Sequence, residues 1–178
     1  MDVLSHGLWP ILIYKTKNLK VKRFKLGRVF LFGIFPDLFA FTPAFAYIFG
    51  KIIFTDTSLS DLPHPEETEP AQPIIPFANL TNMLYNLSHS IFIFLIVFSF
   101  IYLIFKKPIW EMGAWLLHIL MDIPTHSYAF YPTPFLWPFS EWKFNGFSWG
   151  QPWFMILNVS LLITFYLILY FTKKKIRK

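Results

Sequence analysis

The chain has 178 residues, 55% of them hydrophobic and only 15% charged, with a net charge of +6 and no cysteine. Long apolar runs and positive mean hydropathy mark an integral membrane protein of one domain, 1–178, and exclude a soluble enzyme. The absence of cysteine excludes disulfides and thiolate metal sites, so any metal is held by imidazole and carboxylate. The positive charge lies in short blocks beside apolar runs, a topology pattern and not a nucleic-acid footprint.

Residues 3–14 form a short apolar helix with Pro10 inside it. At 1.5 Å per residue it reaches about 18 Å, less than a hydrocarbon core of about 30 Å. Asp2 and His6 stand four apart at its start. Residues 15–28 carry seven positive charges and no acid, and are expected on the cytoplasmic surface against anionic lipid. No removable signal peptide is expected, since Asp2 stands where a basic start belongs.

Residues 29–50 are long enough to span. Pro36 followed by Asp37 predicts a broken helix, because proline frees carbonyls that only protein or a wet cavity can satisfy in a membrane. Residues 51–82 read as an acidic, proline-rich extracytoplasmic loop in which His64 is a solvated histidine. Asn79 and Asn86 fit glycosylation sequons, a pattern that carries meaning only in a eukaryotic secretory setting.

Residues 83–105 predict a second span, with Asn86, Ser88, His89 and Ser90 gathered at its outer start and Lys106 and Lys107 marking the cytoplasmic side. Residues 108–123 climb back out as a shorter span that Pro124 ends or kinks. On it His118 and Asp122 share one face, one turn apart. Ionisable groups in a bilayer are costly, so this pair marks function. Residues 125–149, dense in aromatics and proline, read as an irregular outer loop at lipid level, with His126 and Trp137 within it. Residues 150–172 are the last span, and the basic tail leaves the C-terminus in the cytoplasm. The expected fold is an all-α helical bundle of four transmembrane helices plus a short N-terminal membrane helix.

Counting up from the basic markers puts His6 and Asp37 at about 13 Å, His118 at about 17 Å, Asp122 at about 22 Å and His89 at about 25 Å. Four helices therefore deliver polar groups to the middle or outer half of the bilayer. Glu111 lies lower and is expected to snorkel towards Lys106 and Lys107. Three histidines and two carboxylates at similar depth predict one or two divalent ions, zinc first, with manganese or iron left open. The expected ligands are His6, Asp37, His89, His118 and Asp122; the expected proton acceptor is Asp2. His126, Ser90 and Trp137 are expected to bind substrate or to support the ligands. No HExxH, phosphate loop or GxSxG motif is present.

Four motifs in order carry a resemblance: the opening Asp2–Leu8, DVLSHGL; Phe35-Pro36-Asp37-Leu38; Leu87-Ser88-His89-Ser90; and His118-Ile119-Leu120-Met121-Asp122 followed by the Leu-Trp-Pro around Trp137. The chain resembles the LexA-regulated, bacterial inner-membrane metal-dependent hydrolases, the YdjM-like proteins, over most of its length. The resemblance implies a membrane-embedded metal hydrolase in which His6, Asp37, His89, His118 and Asp122 occupy the motif positions. Two departures stand out. The family often has a second Asp and a His after the Pro-Asp, where this chain has Leu38, Phe39 and Ala40. It also often has His-Arg-Gly where this chain has Leu84, Tyr85 and Asn86.

The expected activity is metal-activated hydrolysis of a lipid-like or membrane-partitioned ester or phosphoester, phosphoester first, with membrane lipid as partner and no nucleic acid. The alternative is a small transporter or relay for a metal ion or proton using the same cluster. A merely structural set of interhelical hydrogen bonds fits less well, because the polar groups gather at one depth.

Overall fold

The computed structural model describes residues 1–18, 24–55, 78–129 and 131–176, without the side chains of 17, 18 and 173–176. The protein is all-helical, with no strand among the described residues. Its helices are α1 (Val3–Asn18), α2 (Leu26–Phe54), α3 (Ala78–Ser88), α4 (Ile91–Phe105), α5 (Gly113–Thr125, preceded by the 3₁₀ turn Trp110–Met112) and α6 (Pro152–Ile176).

Two helices, Leu26–Phe54 and Pro152–Thr172, are long and apolar enough to cross a membrane, and α3 with α4 makes a third candidate if the bent pair is one span. Their outward faces are apolar: Ile96, Phe100, Ile156 and Ile163 are more than half exposed. In water such a surface is a liability; against lipid it is the expected solvent face.

Several sequence expectations need correcting. Helix α2 is not broken at Pro36: it runs 29 residues through both Pro36 and Pro43. Residues 83–105 are not one helix. The chain breaks at His89–Ser90 and the two halves bend by 64°. Helix α1 continues beyond residue 14 to Asn18, and α5 passes Pro124 by one residue. At 13 residues α5 is about 20 Å long, short of a full crossing. Residues 51–54 and 78–82 of the expected outer loop are helical. The rest of its acidic stretch, His64 included, lies outside the described residues.

The break in α3–α4 is where the freed backbone groups must find partners. Trp115 Nε1 donates to the Ser88 carbonyl at 2.6 Å. The Ile91 amide donates to the Phe135 carbonyl at 3.1 Å. Ser90 caps α4 by accepting from the Ile93 amide at 3.3 Å, and its hydroxyl donates to the Trp137 carbonyl. The outer segment thus seals the break. A second strip of it, Gly146 to Trp149, returns to the end of α5: the amides of Gly146, Phe147 and Trp149 donate to the carbonyls of His126, Pro124 and Thr125 at 2.9–3.1 Å. A Cβ on Gly146 would lie 2.7 Å from the His126 carbonyl oxygen, so only glycine permits this approach.

At the basic end, Glu111 does not reach for the lysines. It is buried, and its carboxylate accepts from the Lys25 amide at 3.0 Å, capping the start of α2. Tyr14 donates to the Trp110 carbonyl at 2.6 Å, so α1, α2 and α5 are tied together at one end. Helix α6 is fastened to α1 by Asn158, which accepts from Trp9 Nε1 at 2.8 Å and donates to Ser5 Oγ at 2.7 Å. Phe94, Met112, Trp115 and Ile119 form one core cluster; Ala40, Tyr85 and Tyr131 form another beneath the outer segment.

Candidate metal centre

Four structural elements converge on one buried point. Helix α1 brings His6, α2 brings Asp37, the α3–α4 break brings His89, and α5 brings His118 and Asp122. His6, His89, His118 and Asp122 are fully buried and Asp37 is nearly so. The close crossing of α1 and α2 makes this feasible. Gly33 sits against the backbone of His6 and Gly7, and a Cβ there would meet the His6 carbonyl oxygen and, at 3.2 Å, the Gly7 Cα. Small residues at such crossings let backbones approach in a membrane.

Acceptor-only carbonyls fix the histidine tautomers. His118 Nδ1 lies 2.7 Å from the Gly33 carbonyl, so it carries the proton and donates. His89 Nδ1 lies 3.2 Å from the Tyr85 carbonyl and 2.9 Å from Ser88 Oγ. His126 Nδ1 lies 2.8 Å from the Tyr131 carbonyl. In its neutral form each ring therefore turns its Nε2 lone pair inward, the usual arrangement of a metal-binding histidine held by its outer nitrogen.

Those Nε2 atoms point at one another and at carboxylates. His89 Nε2 and His118 Nε2 are 3.1 Å apart. Each is 3.6 Å from Asp37 Oδ1; they lie 3.4 and 3.1 Å from Asp122 Oδ2. With both rings neutral, these four atoms are all acceptors, a set that a bound cation or an added proton would join, and Asp122 Oδ2 has no hydrogen-bond partner. Ligands about 2.05 Å from a tetrahedral zinc are about 3.3 Å from each other. The five separations, from 3.1 to 3.6 Å, bracket that edge length.

His6 stands on the other side of the same carboxylates. Its Nδ1 is 3.1 Å from Asp37 Oδ2, the carboxylate–histidine pairing that orients a ligand ring. Its Nε2 approaches Asp122 Oδ1 at 2.8 Å yet has no hydrogen-bond partner, because the contact is off the bonding direction. Its ring lies against that of His118, with centroids 3.7 Å apart. His6, Asp37, His118 and Asp122 together form a buried group whose ligand atoms all lie within 4.8 Å, and this group could hold a metal ion. His89 touches three of those four, so the two donor sets share Asp37, His118 and Asp122 and differ only in the fourth member.

His126 lies beside the cluster, its Nε2 3.2 Å from Asp122 Oδ1. The α-amino group of Met1 approaches the same Asp122 oxygen at 2.7 Å and His126 Nε2 at 3.0 Å. Three other expected residues have different surroundings. Asp2, the expected proton acceptor, caps α1 by accepting from the Ser5 amide at 2.9 Å and faces Asn158 Nδ2 at 3.5 Å. Ser90 caps α4. Trp137 lines an outer cleft of about 620 Å³ together with Asn86, Tyr128 and Trp142.

Sequence reasoning missed the residues that aim the histidines. Gly33, Tyr85 and Tyr131 contribute carbonyls, which no side-chain pattern reveals. Tyr131 holds a left-handed backbone angle, φ 44°, that costs a non-glycine residue about 1–2 kcal/mol. Its carbonyl accepts from both Tyr85 Oη, at 2.8 Å, and His126 Nδ1. Asn158 was visible as a polar residue in an apolar run, a signal the reading of α6 passed over.

The sequence matches no protein-family profile, no curated protein and no solved structure.

Proposed function

We propose that the chain is an integral membrane metallohydrolase acting on a lipid-like or membrane-partitioned phosphoester, and that it belongs with the YdjM-like proteins its ordered motifs resemble. The observation that carries the metal is the convergence of bare Nε2 lone pairs on Asp37 and Asp122 at tetrahedral-edge separations. The ligands in this reading are Asp37, His89, His118 and Asp122, with His6 as a further ligand or as the orienting partner of Asp37. Zinc suits this nitrogen and oxygen set best, with manganese or iron next. When bound, a divalent ion supplies Lewis acidity and brings the pKa of water towards about 7.

The chain's own residues supply the rest. Asp2 is engaged at the helix cap, so His126 is the better proton acceptor: its Nδ1 is held by the Tyr131 carbonyl and its Nε2 lies beside Asp122, facing the Met1 amino group. A substrate arriving from lipid must part the outer segment from the α3–α4 break, because the cluster is buried. In the membrane, α2, α3–α4 and α6 cross, α5 with its 3₁₀ turn forms a fourth, shorter segment, and α1 is a short N-terminal helix. The basic ends, the C-terminus among them, face the cytoplasm of a bacterial inner membrane.

The complete burial of the cluster favours a second reading, a cation site of a small transporter or relay. Elemental analysis of detergent-purified wild type beside His118→Ala and Asp37→Ala tests the metal. One or two equivalents, lost in both variants, support it; no metal after reloading at neutral pH overturns it. Turnover of phosphoester lipids without ion flux in liposomes favours the hydrolase, and flux without turnover favours the transporter.

A further inference from the structure

The geometry points to a bound anionic phospholipid at the basic end of the bundle, in the groove between α2 and the α4–α5 connection, its phosphate held by Arg28 and Lys107. This groove, of about 560 Å³, has no residue of the metal cluster in its lining, which includes Arg28, Leu31, Phe32, Phe35, Phe105 and Lys107. Its construction is specific. Lys106 ends α4 in the left-handed conformation, φ 54°, which turns the chain at once and sets Lys107 facing α2. Arg28 stands in the first turn of α2.

Charge decides what the rim accepts. Two cations from separate elements meet at one groove and no acid lines it. Among the described residues neither Arg28 nor Lys107 has an ion-pair partner, and Glu111 is turned away to cap Lys25. Arginine's planar fork matches phosphate oxygens two at a time, and lysine adds a point charge.

The walls decide that the anion carries a chain. Arg28, Leu31 or Phe32, and Phe35 follow one another at helical spacing on one face of α2, so an apolar stripe descends about 10 Å from the charged rim. Leu31, Phe35 and Phe105 are exposed, and α2 is a candidate membrane span. A phosphate at the interface with acyl chains running inward follows that stripe. A free anion would leave the stripe unused, and an acidic peptide would have to lie along a face that belongs to lipid. Basic pockets between membrane helices are known to take anionic head groups on this principle.

The test is native mass spectrometry of the full chain released from nanodiscs of phosphatidylcholine with a minor fraction of phosphatidylglycerol. Wild type should retain phosphatidylglycerol in excess of its share. Arg28→Gln and Lys107→Gln should each weaken retention about fivefold, and the pair roughly thirtyfold, the effect of one and two basic residues at an anionic surface. Lys51→Gln, at the far end of α2, removes the same charge and should change nothing. Both rim positions are exposed, so these variants keep the fold, which intact helical circular dichroism will verify. Three results overturn the proposal: equal retention of both lipids by wild type, equal weakening by Lys51→Gln, or displacement of the lipid by excess inorganic phosphate with no dependence on acyl chain length.

Discussion

His89 Nε2 and His118 Nε2 lie 3.1 Å apart, and each ring's other nitrogen faces a backbone carbonyl. Two imidazole nitrogens at this distance call for a shared proton or a bound cation between them. The backbone carbonyls of Tyr85 and Gly33 therefore do as much to define this centre as the side chains that meet in it.

A metal that binds only the folded chain stabilises it by mass action, about 4 kcal/mol at a thousandfold excess over Kd. For a chain of this size, zinc should raise the melting temperature of metal-stripped protein by on the order of 10 °C. His89→Ala and His118→Ala should abolish that rise. A rise of equal size in both variants would place the metal elsewhere.

Gly33→Ala should damage the centre without touching a ligand. The added methyl meets the His6 carbonyl and the Gly7 Cα, forcing α1 from α2. Overpacking of this kind costs about 1–3 kcal/mol. Because the same backbone carries the carbonyl that aims His118, metal affinity should fall by about 10- to 100-fold, as when a ligand's outer partner is lost. Isothermal titration with zinc reads this directly.

Gly146→Ala separates the outer segment from the metal. Its Cβ would strike the ends of Pro124 and His126, so the strip that caps α5 should lift. Hydrogen exchange should rise at the amides of Gly146, Phe147 and Trp149, while bound metal stays within about twofold of wild type, since His126 is beside the ligands and not among them. Unchanged exchange at those three amides would contradict the packing described.

Tyr85→Phe removes one hydrogen bond, to the Tyr131 carbonyl, and keeps the ring that lies on His89 with centroids 3.9 Å apart. The loss should be about 1 kcal/mol in thermal unfolding, with metal retained. Tyr85→Ala also removes the ring and should cost about 3–5 kcal/mol and weaken metal binding with it.

Asn158→Leu should loosen α6. It strips partners from Trp9 Nε1 and Ser5 Oγ. Interhelical polar contacts of this kind contribute about 0.6–1.7 kcal/mol in membranes. The variant should unfold at lower denaturant and still bind one full complement of metal, because none of the ligands sits on α6.

By itself, the sequence determined the all-helical, membrane-type class of this protein and the five His and Asp residues that meet in its buried cluster. Long apolar runs bounded by basic blocks read as membrane helices, and two helices of the fold are long and apolar enough to cross a membrane; His6, Asp37, His89, His118 and Asp122 stood out because lipid makes such groups costly. Tertiary structure decided how they meet. Helix α2 runs on through Pro36; the break falls instead at His89–Ser90, where Trp115 and Phe135 satisfy the freed backbone and the Trp137 carbonyl takes the Ser90 hydroxyl. Asp2, four residues before His6 on paper, is drawn away by the cap of its own helix. The tautomers rest on carbonyls of Gly33, Tyr85 and Tyr131, and a carbonyl is the same at every residue. Only the path of the backbone in space selects the ones that aim a ligand.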